Sequence, residues 1–174
     1  LAILVLAFVV LTISIIGMST REPGNEFRGV SGIDDAQRIF GGEFQMGDRL
    51  GPGNAPVRVQ VFTDVQAAGF TSWFDEVIST LADGPVREGS TQLLLRNRSL
   101  TRNPTELSFF GIEAAAEQAY AWNYAYLVSQ NLDLAIEVGL DDDFMETIAK
   151  SIERMDLAVW KADYKAALEP GSEV

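Results

Sequence analysis

The chain has 174 residues, contains neither cysteine nor histidine, and carries 13 basic against 25 acidic side chains for a net charge of −12. The missing residue types exclude disulfides, thiol chemistry, Cys/His zinc sites, histidine-ligated haem and every catalytic triad built on an imidazole. The negative balance repels phosphates, so neither nucleic acid nor tight docking of the charged part on anionic lipid is expected; it serves solubility or steers the chain toward a basic partner.

Leu1 to Met18, LAILVLAFVVLTISIIGM, carries no charge, and its polar residues are Thr12 and Ser14. As a helix it is about 27 Å long, close to the roughly 30 Å hydrocarbon core of a bilayer. Residues 1–19 are therefore expected to form a transmembrane helix. A cleaved signal peptide is the competing reading, but its apolar region would be roughly 7 to 15 residues and end at an Ala-x-Ala-like site, and GMSTREPG has none. The small residues Ala2, Ala7, Ser14 and Gly17 form no G-x-x-x-G pattern, so self-dimerisation through a close helix crossing is not supported. The chain opens at Leu1, so a preceding flank is expected, and with it the basic residues that set orientation.

Residues 20–46 are rich in glycine and charge and read as a tether with short apolar islands. Phe27, Ile33, Ile39, Phe40 and Phe44 are too many large apolar groups for a solvated linker, so parts of it are expected to pack against something. From 47 a single domain is expected to run to 174. VRVQVF (57–62) places Val57, Val59 and Val61 on one face and adds Phe62 on the other, as in an internal strand, and TQLLLRNRSL (91–100) holds a second strand. Between them Phe70, Trp73, Phe74, Val77, Ile78 and Leu81 recur at spacings of three and four, which predicts a helix over 71–82 ended by Asp83-Gly84-Pro85. Strand, helix and strand with short connections imply a βαβ unit with parallel strands.

Residues 105–130 predict one long or one broken helix, LDLAIEVG a short one, and 154–168 a last one. In GLDDDFMETIAKSIE, Asp143 and Glu146 have the spacing of a capping box. Asp141 to Asp143 lack the alternate spacing of a calcium loop, and no metal or cofactor is expected. Glu113 and Glu117, at i,i+4 spacing, read as a solvated face and give little support to enzymatic activity.

The segments GNAPV (53–57), VFTDVQ (61–66), AAGF (67–70) and QLLLRN (92–97), followed by EAAAEQAYAWNYAYLVSQN (113–131) and GLDDDF, together resemble the DsbA-type disulfide oxidoreductases of the thioredoxin-like family over about 47–170. The resemblance implies an α/β fold: a thioredoxin-like βαβ core with a helical insertion, behind the N-terminal membrane helix. In that family the helix start bears Cys-x-x-Cys, whose thiolate the helix N-terminus stabilises. Here those positions fall within Ala67, Ala68, Gly69 and Phe70, with alanine and phenylalanine where the thiols stand, so the implied site is degenerate and redox-inactive. The family also continues into a cis-proline strand that is not seen before Val174, so the C-terminal part of the fold is expected to be missing. Otherwise the open edge of VRVQVF is completed by residues 36–46 or by a partner's strand.

These features lead to the expectation of a non-catalytic accessory or scaffolding subunit of a bacterial membrane complex, photosynthetic or respiratory electron transfer being one guess. Its domain would stand on the periplasmic side of the inner membrane. Its partners would be other subunits, including their transmembrane helices, and the candidate partner-binding residues are Phe27, Ile33, Ile39, Phe40, Phe44, Phe70 and Trp73. The alternative is a membrane-tethered chaperone or peptide-binding module that uses the groove around Ala67 to Phe70.

Overall fold

Ile33–Phe40 form the first helix among the described residues, α1, in a computed structural model that describes residues 29–67, 69–97 and 107–169. Its Ala36, Ile39 and Phe40, three and four residues apart, are buried. Asp34 and Asp35 in the first turn and Arg38 in the last match the helix dipole. Phe40 packs on Phe74, Trp122 and Tyr126 with ring centroids 6.0, 6.5 and 6.1 Å away. Of the apolar side chains expected to pack, Ile39 and Phe40 join the domain's own core, whereas Ile33 and Phe44 stay exposed. The expected membrane helix and Phe27 lie outside the described residues. Among the described residues no helix is long and apolar enough to cross a membrane.

A short hairpin follows, β1 (Gln45–Met46) and β2 (Arg49–Leu50), then β3 (Val57–Thr63) and β4 (Thr91–Asn97). They form a four-stranded mixed sheet in the order β1-β2-β4-β3. β3 and β4 run parallel in unbroken register from Val57↔Thr91 to Thr63↔Asn97, as a strand-helix-strand crossover requires. β2 pairs antiparallel with the other side of β4. Thr91 to Leu95 are all buried, which fits β4's place between two strands and its continuous apolar run. The hairpin thus completes β4 rather than β3, and β3 keeps one edge unpaired among the described residues.

Residues 70–86, here α2, form one continuous helical run of α-turns at Phe70–Trp73 and Ser79–Leu81 and wide i→i+5 turns at Phe74–Ile78 and Ala82–Val86. Phe70, Phe74, Ile78, Ala82 and Val86 are buried at a strict spacing of four. In a 3.6-residue helix each such step drifts by about 40°, so the last side chain would point away from the core. Widened turns absorb that drift. They also let the run continue past Gly84-Pro85, where a halt was expected: an α-turn would drive the proline ring into the carbonyl four residues back. The buried stripe is narrower than the sequence suggested, and Trp73 and Val77 reach solvent.

The remaining helices are α3 (Leu107–Ala116), α4 (Ala121–Gln130), α5 (Leu132–Val138), α6 (Asp142–Lys150) and α7 (Leu157–Leu168). Of the two forms expected, one long or one broken helix, the chain takes the broken one, with the break between α3 and α4, where Ala119 sits at φ 65° and the Tyr120 N–H bonds to the Ala115 carbonyl. Alanine-rich α3 lets its neighbours approach closely. A Cβ on Gly111 would stand 2.5 Å from the Tyr124 hydroxyl oxygen. That hydroxyl donates to the Met145 carbonyl at 2.9 Å, and Trp160 Nε1 donates to the Gly111 carbonyl at 3.0 Å. Trp160 stacks between Tyr124 and Tyr164 at 5.7 and 4.8 Å. Asp141, not Asp143, caps α6 by accepting from the Phe144 N–H, while Glu146 pairs with Lys150 and Lys161 instead of closing a capping box.

Candidate functional site

β3 ends at Thr63, and the chain turns into α2 through Asp64 to Gly69. The buried Asp64 carboxylate accepts from the Gln66 N–H at 2.9 Å, the local bond that lets an aspartate stand in for a turn of backbone. The Ala67 N–H bonds to the Asp64 carbonyl and the Phe70 N–H to the Ala67 carbonyl, both at 3.0 Å. Gly69 takes φ 82°, a conformation that suits glycine, and starts the helix. Ala68 lies outside the described residues. The Gln66 side-chain amide donates to Ser108 Oγ at 2.7 Å and so ties the turn to α3.

Phe70 is only 5% exposed, with its ring 5.5 Å from Phe74 and 5.9 Å from Trp73. It closes the helix start from within rather than lining an open groove. Trp73, 38% exposed, is the large apolar side chain of this region that reaches solvent. Thr71 is no activated nucleophile, because its hydroxyl donates to the Ser129 carbonyl at 2.8 Å. Of the other expected partner-binding residues, Ile39 and Phe40 are buried, whereas Ile33 and Phe44 stay exposed at the surface near α1. Burial takes Ile39, Phe40 and Phe70 out of reach of an external partner.

The free edge of β3 was not singled out residue by residue from the sequence. The Val57 N–H points at the Ser90 carbonyl, 3.2 Å away, so Val57, Val59, Val61 and Thr63 direct their backbone groups toward β4. Strand alternation then turns the N–H and C=O of Arg58, Gln60 and Phe62 outward. Phe62 is 66% exposed and Val57 50%. Arg96 links the strands by donating to Gln60 Oε1 at 3.2 Å and pairs with Asp48. The alternation within VRVQVF was the signal that could have identified Phe62 as an outward side chain.

Glu113 departs from the solvated acidic face expected of it. Glu113 is partly buried, and that burial raises its carboxyl above the usual range, helped by the charges of Asp48 and Glu117 and opposed by Arg96. The turn supplies it with no nucleophile, and no cluster of acidic residues among the described residues has the arrangement of a metal site. Comparison with family models, with curated proteins and with solved structures gives no match.

Proposed function

We propose that this chain is a non-catalytic accessory or scaffolding subunit of a bacterial membrane complex, anchored by Leu1–Met18 and carrying a DsbA-like, redox-inactive domain on the periplasmic side. The observation that carries this reading is the open edge of β3. Arg58, Gln60 and Phe62 offer outward backbone donors and acceptors beside a two-thirds-exposed phenylalanine, and such an edge is a template for strand addition. The partner is an extended strand of another subunit, with a polar or acidic side chain opposite Arg58 and an apolar one opposite Phe62. The turn at 64–70 supports the non-catalytic half of the reading, since alanine and a buried phenylalanine offer no group to a substrate. The same burial of Phe70 weighs against a client-binding groove there.

Proline at position 60 separates the possibilities. The Gln60 N–H faces away from β4, so Gln60→Pro removes no backbone bond of the sheet, only the exposed side-chain bond from Arg96, and blocks an added strand. The tagged full chain and this variant would be purified from native membranes in mild detergent, with mass spectrometry and an absorption spectrum of each eluate. The expected result is stoichiometric partners for the parent chain, their loss in Gln60→Pro, and little change in thermal midpoint. A parent chain recovered alone, partners unaffected by the proline, or turnover in a thiol-exchange assay would each overturn the reading.

A further inference from the structure

Strand pairing sets Met46 opposite Arg49, Arg49 opposite Leu94 and Leu94 opposite Gln60, one row that crosses all four strands. Residues in such a row share a face of the sheet, and alternation along the strands adds Arg58, Phe62 and Arg96 to it. The opposite face carries Leu50, Leu93, Leu95 and Val61, all within the core that the helices close. On the row's side Met46 and Phe62 are more than half exposed, and Arg49, Arg58 and Gln60 are exposed with them. Leu94 is buried there without joining that core. Parallel strand pairs such as β3 and β4 are normally covered on both faces, and here the cover lies on one. The charge of this face is also unlike the rest of a chain of −12. Its ionised groups are three guanidiniums. Asp48 pairs with Arg96 and lies 3.8 Å from Arg49, and Glu113 stands close enough to Arg96 to feel its charge. Arg58 donates to the Gly53 carbonyl at 3.1 Å and has no carboxylate partner among the described residues.

We infer that the open face of the sheet seats one amphipathic helix of another protein, with apolar side chains over Met46, Leu94 and Phe62 and acidic flanks against Arg49 and Arg58. The dimensions select a helix. Four strands about 4.8 Å apart span about 14 Å, and β1 and β2 have two residues each, so the face is a narrow strip. One helix about 10–12 Å across covers it, whereas a second sheet would find too little length to pack on. The charges select acidic flanks. A second copy laid face to face would bring guanidiniums against guanidiniums, and two chains of −12 repel each other besides. An anionic bilayer would meet the same −12 behind a few arginines. The site is the face of the sheet and not the edge of β3, and it stands whether or not a strand adds there.

The test titrates the ¹⁵N-labelled full chain, in nanodiscs of zwitterionic lipid, with a helical peptide of about 18 residues that carries leucine along one face and glutamate on both flanks, and with the same peptide carrying lysine for glutamate. The expected result is saturable shifts at the Met46, Arg49 and Leu94 backbone amides with the glutamate peptide. The lysine peptide, Arg49→Glu and Met46→Asp should each weaken binding by about fivefold or more, and added salt should weaken it further. Both substituted side chains are exposed, so the thermal midpoint should hardly move. Arg49 lies two strands from the open edge of β3, so Arg49→Glu should leave in place any partner that Gln60→Pro removes. No saturable shift with the glutamate peptide would overturn the inference, as would equal affinities for the two peptides. Shifts at Met46 and Arg49 that grow with protein concentration would overturn it by placing a second copy on the face. The same shifts on moving the chain, without peptide, into phosphatidylglycerol nanodiscs would overturn it by placing the membrane there.

Discussion

Truncating Phe40 tests whether α1 belongs to the domain or merely leads to it. The side chain is 2% exposed and packs on Phe74, Trp122 and Tyr126, three rings contributed by α2 and α4. Phe40→Ala removes a whole ring from a close-packed site, a change that costs about 3–5 kcal/mol when neighbours cannot collapse into the space. Three aromatic neighbours held by two helices have little freedom to do so, and the upper half of that range is expected. For a chain of this size each kcal/mol lowers the melting midpoint by roughly 2–4 °C, so a fall of about 12 °C follows. Phe44→Ala is the internal control. Phe44 is 54% exposed a few residues away, and its truncation should stay within about 0.5 kcal/mol. Urea unfolding followed by tryptophan fluorescence is the assay, because Trp122 lies 6.5 Å from the Phe40 ring and reports its loss. A cost below about 1 kcal/mol for Phe40→Ala, or equal costs for the two variants, would refute the packing argument.

Gly111→Ala should destabilise by about 1–3 kcal/mol, since the new methyl would meet the Tyr124 hydroxyl at 2.5 Å and Tyr124 is held by its bond to the Met145 carbonyl; calorimetry showing no loss would mean that α3 and α4 can separate freely. Glu113 makes a prediction about pH with a definite sign. Its folded carboxyl is raised above the ordinary 4.5, so the charged form is penalised in the fold at neutral pH and the penalty disappears as pH falls through the raised value. Glu113→Gln should accordingly be more stable than the parent at pH 7, and the difference should shrink on acidification and vanish below the unfolded value. Urea titrations of both proteins across that range check it, and a difference that grows toward low pH would contradict the assigned cause.

Hydrophobic rhythm made the strand-helix-strand core legible. VRVQVF and QLLLRN mark β3 and β4 within a residue or two, and the parallel pairing follows from the short connections. What stayed hidden depended on partners distant in the chain. The role of Ile39 and Phe40 could not be read locally, because a short helix between glycines, with Gly32 before it and Gly41 after it, looks like a tether until Phe74, Trp122 and Tyr126 are placed beside it. The wide turns of α2 were present in the sequence as a period of four, yet Trp73 and Val77 disguised that period by completing an ordinary helical stripe. The capping aspartate of α6 was misplaced by two residues within a run of three identical side chains, which composition alone cannot rank. The bond from Gln45 to Asn123, 78 residues away, carries no sequence signal at all.

The order β1-β2-β4-β3 leaves β3 at one edge of the sheet and the short β1 at the other. Gln45 belongs to β1 and opens toward the helical layer, whereas Arg58, Gln60 and Phe62 face outward from β3. β4 lies between, buried along its apolar length and hydrogen-bonded on both sides, and such a strand transmits little displacement from one edge to the other without breaking its ladders. Gly69 and the buried Phe70 fix the start of α2, α2 and α1 support the sheet, and the sheet presents the open edge of β3. The turn is then a structural device: Asp64 stands in for a turn of backbone, Gly69 takes the left-handed conformation that starts α2, and Phe70 packs inside.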